Sequence, residues 1–346
     1  MTYSIVSIFG FFAIISLCAL ATSKLIGLTR TISAHVLAIA IAWFYGFRSP
    51  NVGADTEEYI DRFLDETVTS DFLFSYAGIL LKKVGLDSSQ YLFALALATS
   101  LLLLHAIKNF TQDYSSASLY LALAAILPYG IMQYINISRQ GLAVAIVLYG
   151  ISLIQHKSSV RGLAMPLATL FIHRTTGIIY LVSHFCKRFL SNRYGLFIAF
   201  AAMTIAFILS SYTPEILSMA DADLAEKYKS YLFLNTSESP YLIYAKFLWA
   251  VFHLAIVYNL NKVKAIPPAL YYYYIFVTLS GIALYPNPVV STRLLASIDF
   301  ILPVIYAIPT AEKGKDLRTI GVVSLFLYAL ASPFLFSMYA LSFNWG

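Results

Sequence analysis

Apolar runs of spanning length recur along nearly the whole chain. A helix that crosses a hydrocarbon core needs roughly 20 such residues, with a range of about 17 to 25. Runs of that kind lie near 4–22, 31–47, 89–107, 115–132, 140–156, 193–212, 241–260, 268–285, 293–310 and 319–340. The expected fold is therefore all-α: a polytopic membrane protein of about ten transmembrane helices at this spacing. No fixed-period repeat or linker divides the chain, so residues 1–346 read as a single integral membrane domain. The first run lacks a basic leader and is expected to stay as an anchor. Charge is scarce: 12% of residues, against about 25% in an ordinary globular domain. A soluble enzyme, a disordered chain and a nucleic-acid binder are excluded. The formal +6 then reflects basic loops on one side of a bilayer. Cys18 and Cys186 both sit in apolar runs and give neither a disulfide framework nor a metal spacing.

Two stretches break the pattern. Residues 72–86 are apolar but short and end near Lys82-Lys83, which predicts an interfacial helix. Residues 162–186 hold two short apolar runs separated by His173-Arg174-Thr175-Thr176. A continuous helix would put Arg174 deep in lipid, so a re-entrant helical hairpin is expected there. If 72–86 does not cross, five basic loops share one face: those bearing Lys24 and Arg30; Lys157 and Arg161; Lys187, Arg188 and Arg193; Lys262 and Lys264; Lys313, Lys315 and Arg318. That face is the expected cytoplasmic side. The outer face then carries loop 48–71, with seven acidic residues, and loop 213–240, whose spaced Leu217, Leu224, Tyr228 and Leu232 suggest a lid.

Arginines collect on that outer face. Arg48, Arg139 and Arg293 each adjoin a membrane run within a polar string: Arg48-Ser49-Pro50-Asn51-Val52-Gly53-Ala54-Asp55, Ser138-Arg139-Gln140-Gly141 and Ser291-Thr292-Arg293. A guanidinium stays charged and forks onto phosphate oxygens. Snorkelling to the interface is the bland alternative. Asp55 is placed either to cap a following helix, with Glu58 completing a capping box, or to act as a general base. His173 and Arg174 sit at the expected helix break, where membrane proteins build ligand sites. The intramembrane charges Lys246 and Asp299 are expected to form a structural ion pair. No zinc spacing or Walker-type glycine loop is present, so no metal and no cofactor are expected.

Four of these strings, in order, resemble the motifs of EpsG-like polysaccharide polymerases, relatives of the Wzy-type O-antigen polymerases. Phe47-Arg48 through Gly53-Ala54-Asp55, then Tyr59 and Phe63, resembles their opening motif. Ser138-Arg139-Gln140-Gly141-Leu142-Ala143 resembles the arginine–glutamine motif at the start of a span, Phe171-Ile172-His173 the histidine motif, and Ser291-Thr292-Arg293 the late arginine motif. Two positions depart from the pattern: Ala54 replaces a frequent threonine, and Arg174 stands where a small residue is usual. The resemblance implies a GT-C-like membrane glycosyltransferase of the bacterial inner membrane, with its active site facing the periplasm. It implies undecaprenyl-diphosphate-linked oligosaccharide as substrate, with a chain-length regulator and a flippase as candidate partners.

On that basis Asp55, His173, Arg139 and Arg293 are expected to be catalytic. The arginines stabilise a diphosphate leaving group, and Asp55 or His173 takes the acceptor's proton. Arg48, Asn51, Gly53, Tyr59, Gln140, Arg174 and Thr292 are expected to bind substrate. Two rivals remain. One is a transferase that adds a single sugar from a lipid carrier. The other is a repeat-unit flippase, whose charges would line a path through the bilayer rather than gather at one face.

Overall fold

The structure is a computed structural model, described for residues 5–53, 55–68, 71–155, 159–190, 240–285, 288–309 and 312–342. The expected span 193–212 and nearly all of loop 213–240 lie outside the described residues. All regular structure among the described residues is helical. The first half holds α1 (Ile5–Ser23), α2 (Gly27–Gly46), α3 (Thr56–Leu64), α4 (Phe72–Lys83), α5 (Ser88–Thr111), α6 (Tyr114–Ile126), α7 (Pro128–Ile135), α8 (Ser138–Gln155), α9 (Ser159–Ala168) and α10 (Arg174–Leu190). A 3-10 turn, Thr169–Phe171, links the last two. The second half holds α11 (Pro240–Lys262), α12 (Pro268–Ala283), α13 (Pro288–Ala296), α14 (Ile298–Ala307) and α15 (Glu312–Ser342). Four stretches are long and apolar enough to cross a membrane: Gly27–Gly46, Ser88–Thr111, Ser138–Gln155 and Val290–Ala307. A fifth is the bent pair α6–α7. By that measure the described residues carry four or five spans against the ten expected. Unlike the flank of a soluble bundle, the outer flank of α2 bears Ile32, Val36, Ile39 and Trp43, all exposed and one helical turn apart.

Helices α2 and α5 lie antiparallel. Arg30, at the start of α2, pairs at 3.0 Å with Asp113, just past the end of α5. At the other end Gly46 meets the Phe93 backbone so closely that a Cβ would sit 2.3 Å from its Cα. The chain between them therefore leaves and returns at one end of the bundle, and neither α3 nor the 12-residue α4 crosses it. Helices α8 and α9 pack just as tightly through Gly150, whose Cβ would meet Pro166 at 2.5 Å. The turn at Ile172-His173 folds α10 back, because a Cβ on Gly177 would lie 2.6 Å from the Leu170 nitrogen. A break between two helices thus stands where one was expected. It comes at residues 172–173, so Arg174 to Thr176 already form the first turn of α10.

The expected single span 115–132 is instead two helices bent by 80° at Leu127-Pro128. Proline lacks an N–H and restricts the residue before it to extended backbone, and Leu127 sits at φ −65°, ψ 145°. The bend exposes the N–H groups at the start of α7, and Asp299 from α14 answers them. Its Oδ2 accepts from the Tyr129 N–H at 2.8 Å. The expected Lys246–Asp299 ion pair is therefore replaced: Asp299 caps α7 in trans, while the Lys246 ammonium lies over the Tyr129 ring at 4.9 Å. A carboxylate is the better partner for orphan amide donors at a helix N-terminus. Asp299→Ala is expected to lower stability by about 1–3 kcal/mol, the cost of a buried donor left unsatisfied. Thermal unfolding of the detergent-solubilised protein checks it, and an unchanged midpoint would remove the capping role.

Candidate active site

Arg48 ties the start of loop 48–71 to the rest of the bundle. It is buried, and its guanidinium donates to Tyr45 O at 2.9 Å, Ile135 O at 3.0 Å and Thr56 Oγ1 at 3.0 Å. Thr56 Oγ1 in turn donates to Val52 O at 2.6 Å. Gly53 has φ +94°, and a Cβ there would strike Ile135 Cγ2 at 2.5 Å and Asn136 Oδ1 at 2.6 Å. Only glycine fits both the left-handed backbone and the close approach. Tyr59 completes the weld, donating its hydroxyl to Asn136 O at 3.4 Å. The end of α2, the start of α3 and the α7–α8 elbow form one unit.

That unit presents Asp55 to Arg293. Arg293 Nη2 donates to both Asp55 oxygens, at 3.2 and 3.3 Å. The capping expectation is corrected here. Asp55 precedes α3 at φ −93°, ψ −1° and makes no side-chain cap bond, and Glu58 pairs with Arg62 instead. A helical Asp55 backbone turns the carboxylate away from the N–H groups it would cap. Burial pushes the Asp55 carboxyl above its ordinary range, against the opposing pull of Arg293.

Arg139 is the second residue of α8. Its Nη1 donates to Asp71 Oδ2 at 2.7 Å, with both side chains largely covered. Its guanidinium carbon lies 5.5 Å from the Tyr59 ring centre and 5.8 Å from that of Phe74. Its Nε is buried with no hydrogen-bond partner. Arginine over an aromatic face keeps its charge while losing water. Beneath it, Tyr59, Phe63, Phe74, Tyr91 and Ile172 form a closed apolar cluster.

His173 stands at the hairpin turn. The Thr176 N–H donates to its Nδ1 at 3.4 Å, and the Thr176 hydroxyl lies 2.9 Å from the same nitrogen. An N–H can only donate, so Nδ1 accepts and the neutral ring carries its proton on Nε2. Burial, then the charges of Arg139 and Arg293, push its pKa down to about 3. Asp55, Arg139, His173 and Arg293 are therefore electrostatic neighbours, brought from four distant stretches of chain.

The supporting residues divide clearly. Gln140 is buried, and its Nε2 donates to the Arg293 carbonyl and, at 2.7 Å, to Ser297 Oγ, so it positions the helix that carries Arg293. Thr292 is buried beside Ser291, whose hydroxyl donates to Gly281 O at 2.7 Å. Tyr59 is buried beneath Arg139 and offers no open face to a sugar. Asn51 and Arg174 are exposed. Arg293 is the sixth of the nine residues of α13 and lies in its last turn. Asp71 was visible in the sequence only as one of seven acids in its loop, and no spacing distinguishes it from Asp65 or Glu66.

The model of the EpsG family matches residues 31–345, nearly the whole chain. No curated protein and no solved structure matches it.

Proposed function

The chain belongs to the EpsG family, and from that premise we propose that it polymerises lipid-linked oligosaccharide repeat units by inverting glycosyl transfer. The family and the apolar helices make it a multi-pass membrane protein of the polysaccharide polymerase type. The finer reading rests on one observation: two arginines, a neutral histidine and a buried carboxylate converge at one end of the bundle. That end corresponds to the periplasmic side by the loop-charge argument.

In this reading Arg139 and Arg293 hold the diphosphate that links the growing chain to its undecaprenyl carrier. A hydroxyl of the incoming repeat unit attacks the anomeric carbon. The new C–O bond forms as the bond to the diphosphate oxygen breaks, and the departing lipid diphosphate keeps that electron pair. The guanidinium groups meet the charge where it develops. Asp55 takes the hydroxyl proton, since a carboxyl raised by burial is a stronger base than a free one. His173 donates rather than accepts, because its Nδ1 is engaged and its proton sits on Nε2. This separates the two candidate bases in favour of Asp55. Arg48, Gly53, Tyr59 and Gln140 support the site from behind, and Asn51, Arg174 and Thr292 have no assigned contact with substrate.

The product profile of a deletion strain tests the class of reaction. A single repeat unit left on the lipid acceptor is the expected outcome. Absence of any repeat unit on the outer face would favour the single-sugar transferase or the flippase and overturn the polymerase reading. Clustering of the charged groups at one end favours an enzyme over a flippase.

A further inference from the structure

The two arginines of the site are not waiting open. Each is held by a carboxylate from the acidic loop or its edge: Arg293 by Asp55, and Arg139 by Asp71. The two pairs differ. Arg293 is 38% exposed, whereas Arg139 and Asp71 are 16% and 14% exposed. Asp71 engages Arg139 through a single nitrogen, Nη1, while the buried Nε has no acceptor. The Tyr59 hydroxyl also hydrogen-bonds this guanidinium, so Nε is the donor left without a partner. A carboxylate can bind an arginine side-on through two parallel bonds, and this one does not. A buried donor without a partner is costly, so the arrangement favours an incoming group with more oxygens to offer.

We propose that Asp71 is a gating residue of the anion site, its carboxylate occupying the place on Arg139 that a phosphate oxygen of the lipid diphosphate takes when substrate enters. The inference rests on the diphosphate-binding role given to Arg139 and Arg293 above. Entry is an exchange of anions: the Arg139–Asp71 pair opens, and a phosphate oxygen takes Nη1 in place of the carboxylate. Asp71 stands immediately before α4, and the far end of that helix is tethered separately, Lys82 pairing with Glu66 at 3.1 Å. Swinging the Asp71 side chain therefore does not unseat α4. The gate also selects. A monoanion gains nothing over the carboxylate it must displace, whereas a diphosphate brings more charge and a second acceptor. Asp71 touches no reacting atom and acts through Arg139.

The test uses the full chain in lipid nanodiscs with inorganic pyrophosphate as probe, followed by calorimetry. Asp71→Asn removes the competing charge and is expected to bind pyrophosphate on the order of tenfold more tightly, the gain when a state holding the site closed nine-tenths of the time is lifted. Asp71→Glu, which restores a carboxylate, is expected to stay within about twofold of the parent by the same argument. A purely structural brace predicts the opposite sign, with weaker binding and a lower melting temperature in Asp71→Asn. Equal or weaker binding in Asp71→Asn, with binding still lost in Arg139→Gln, overturns the gate and leaves the arginine reading standing. Pyrophosphate affinity indifferent to Arg139→Gln overturns both.

Discussion

Replacing Arg139 by lysine is expected to cut polymerisation about 10²- to 10³-fold, the range for removing one donor that stabilises developing charge. Arg293→Lys is expected to do the same. Lysine keeps the positive charge, so the partners Asp71 and Asp55 remain neutralised and the local fold survives. What lysine lacks is the planar fork and the Nε donor that is buried and unpartnered in Arg139. The loss therefore belongs to the transition state rather than to stability. Surface polysaccharide from a complemented polymer-deficient host, run on a gel beside a blot for the membrane protein, reads both quantities. Full-length ladders from both variants at normal protein level would remove the diphosphate clamp.

Asp55→Asn is expected to lower the rate about 10²- to 10⁴-fold, the usual contribution of a positioned general base. Asparagine preserves the shape and still accepts a hydrogen bond from Arg293, but it cannot take a proton. The pH dependence adds a sharper test. A base works in its deprotonated form, so activity falls as pH drops through the Asp55 pKa. Burial raises that pKa, which places the acid limb above the value of about 3.9 for a free aspartate. Arg293 opposes the rise. Arg293→Gln removes that opposition, so the residual activity of this variant has its acid limb at still higher pH. His173 is neutral from about 3 upward and adds no inflection near neutrality. Rates measured on purified protein with lipid-linked substrate between pH 4 and 8 decide the matter. An acid limb unmoved in Arg293→Gln, or retained in Asp55→Asn, assigns the base elsewhere.

Much of the scaffold was legible in advance. Spanning-length apolar runs dictate helices because a backbone in hydrocarbon must satisfy its own polar groups. The short run at 72–86 and the break at His173 were both readable, the first from its length and the second from its charge. Other features were hidden for reasons that are physical. The 80° bend at Leu127-Pro128 lies inside an apolar run, and hydropathy does not register a proline there. Asp55 looked like a helix cap because its spacing to Glu58 fits one, yet a tertiary partner outbid the local one. Asp299 looked like the counter-ion of Lys246, yet the bend created amide donors that needed it more.

The division between the two levels follows from range. Local composition and periodicity act over a few residues, and they alone determined an all-helical membrane chain, an acidic loop and a set of isolated arginines. Which acid meets which arginine is a matter of long-range packing: Asp55 and Arg293 are 238 residues apart, and Asp71 and Arg139 are 68 apart. Tertiary structure settled those pairings by welding the end of α2 to the α7–α8 elbow through Arg48, Gly53 and Thr56. A scatter of charges in a sequence became a site because burial removes water, and a buried charge must find its opposite wherever the fold has brought one.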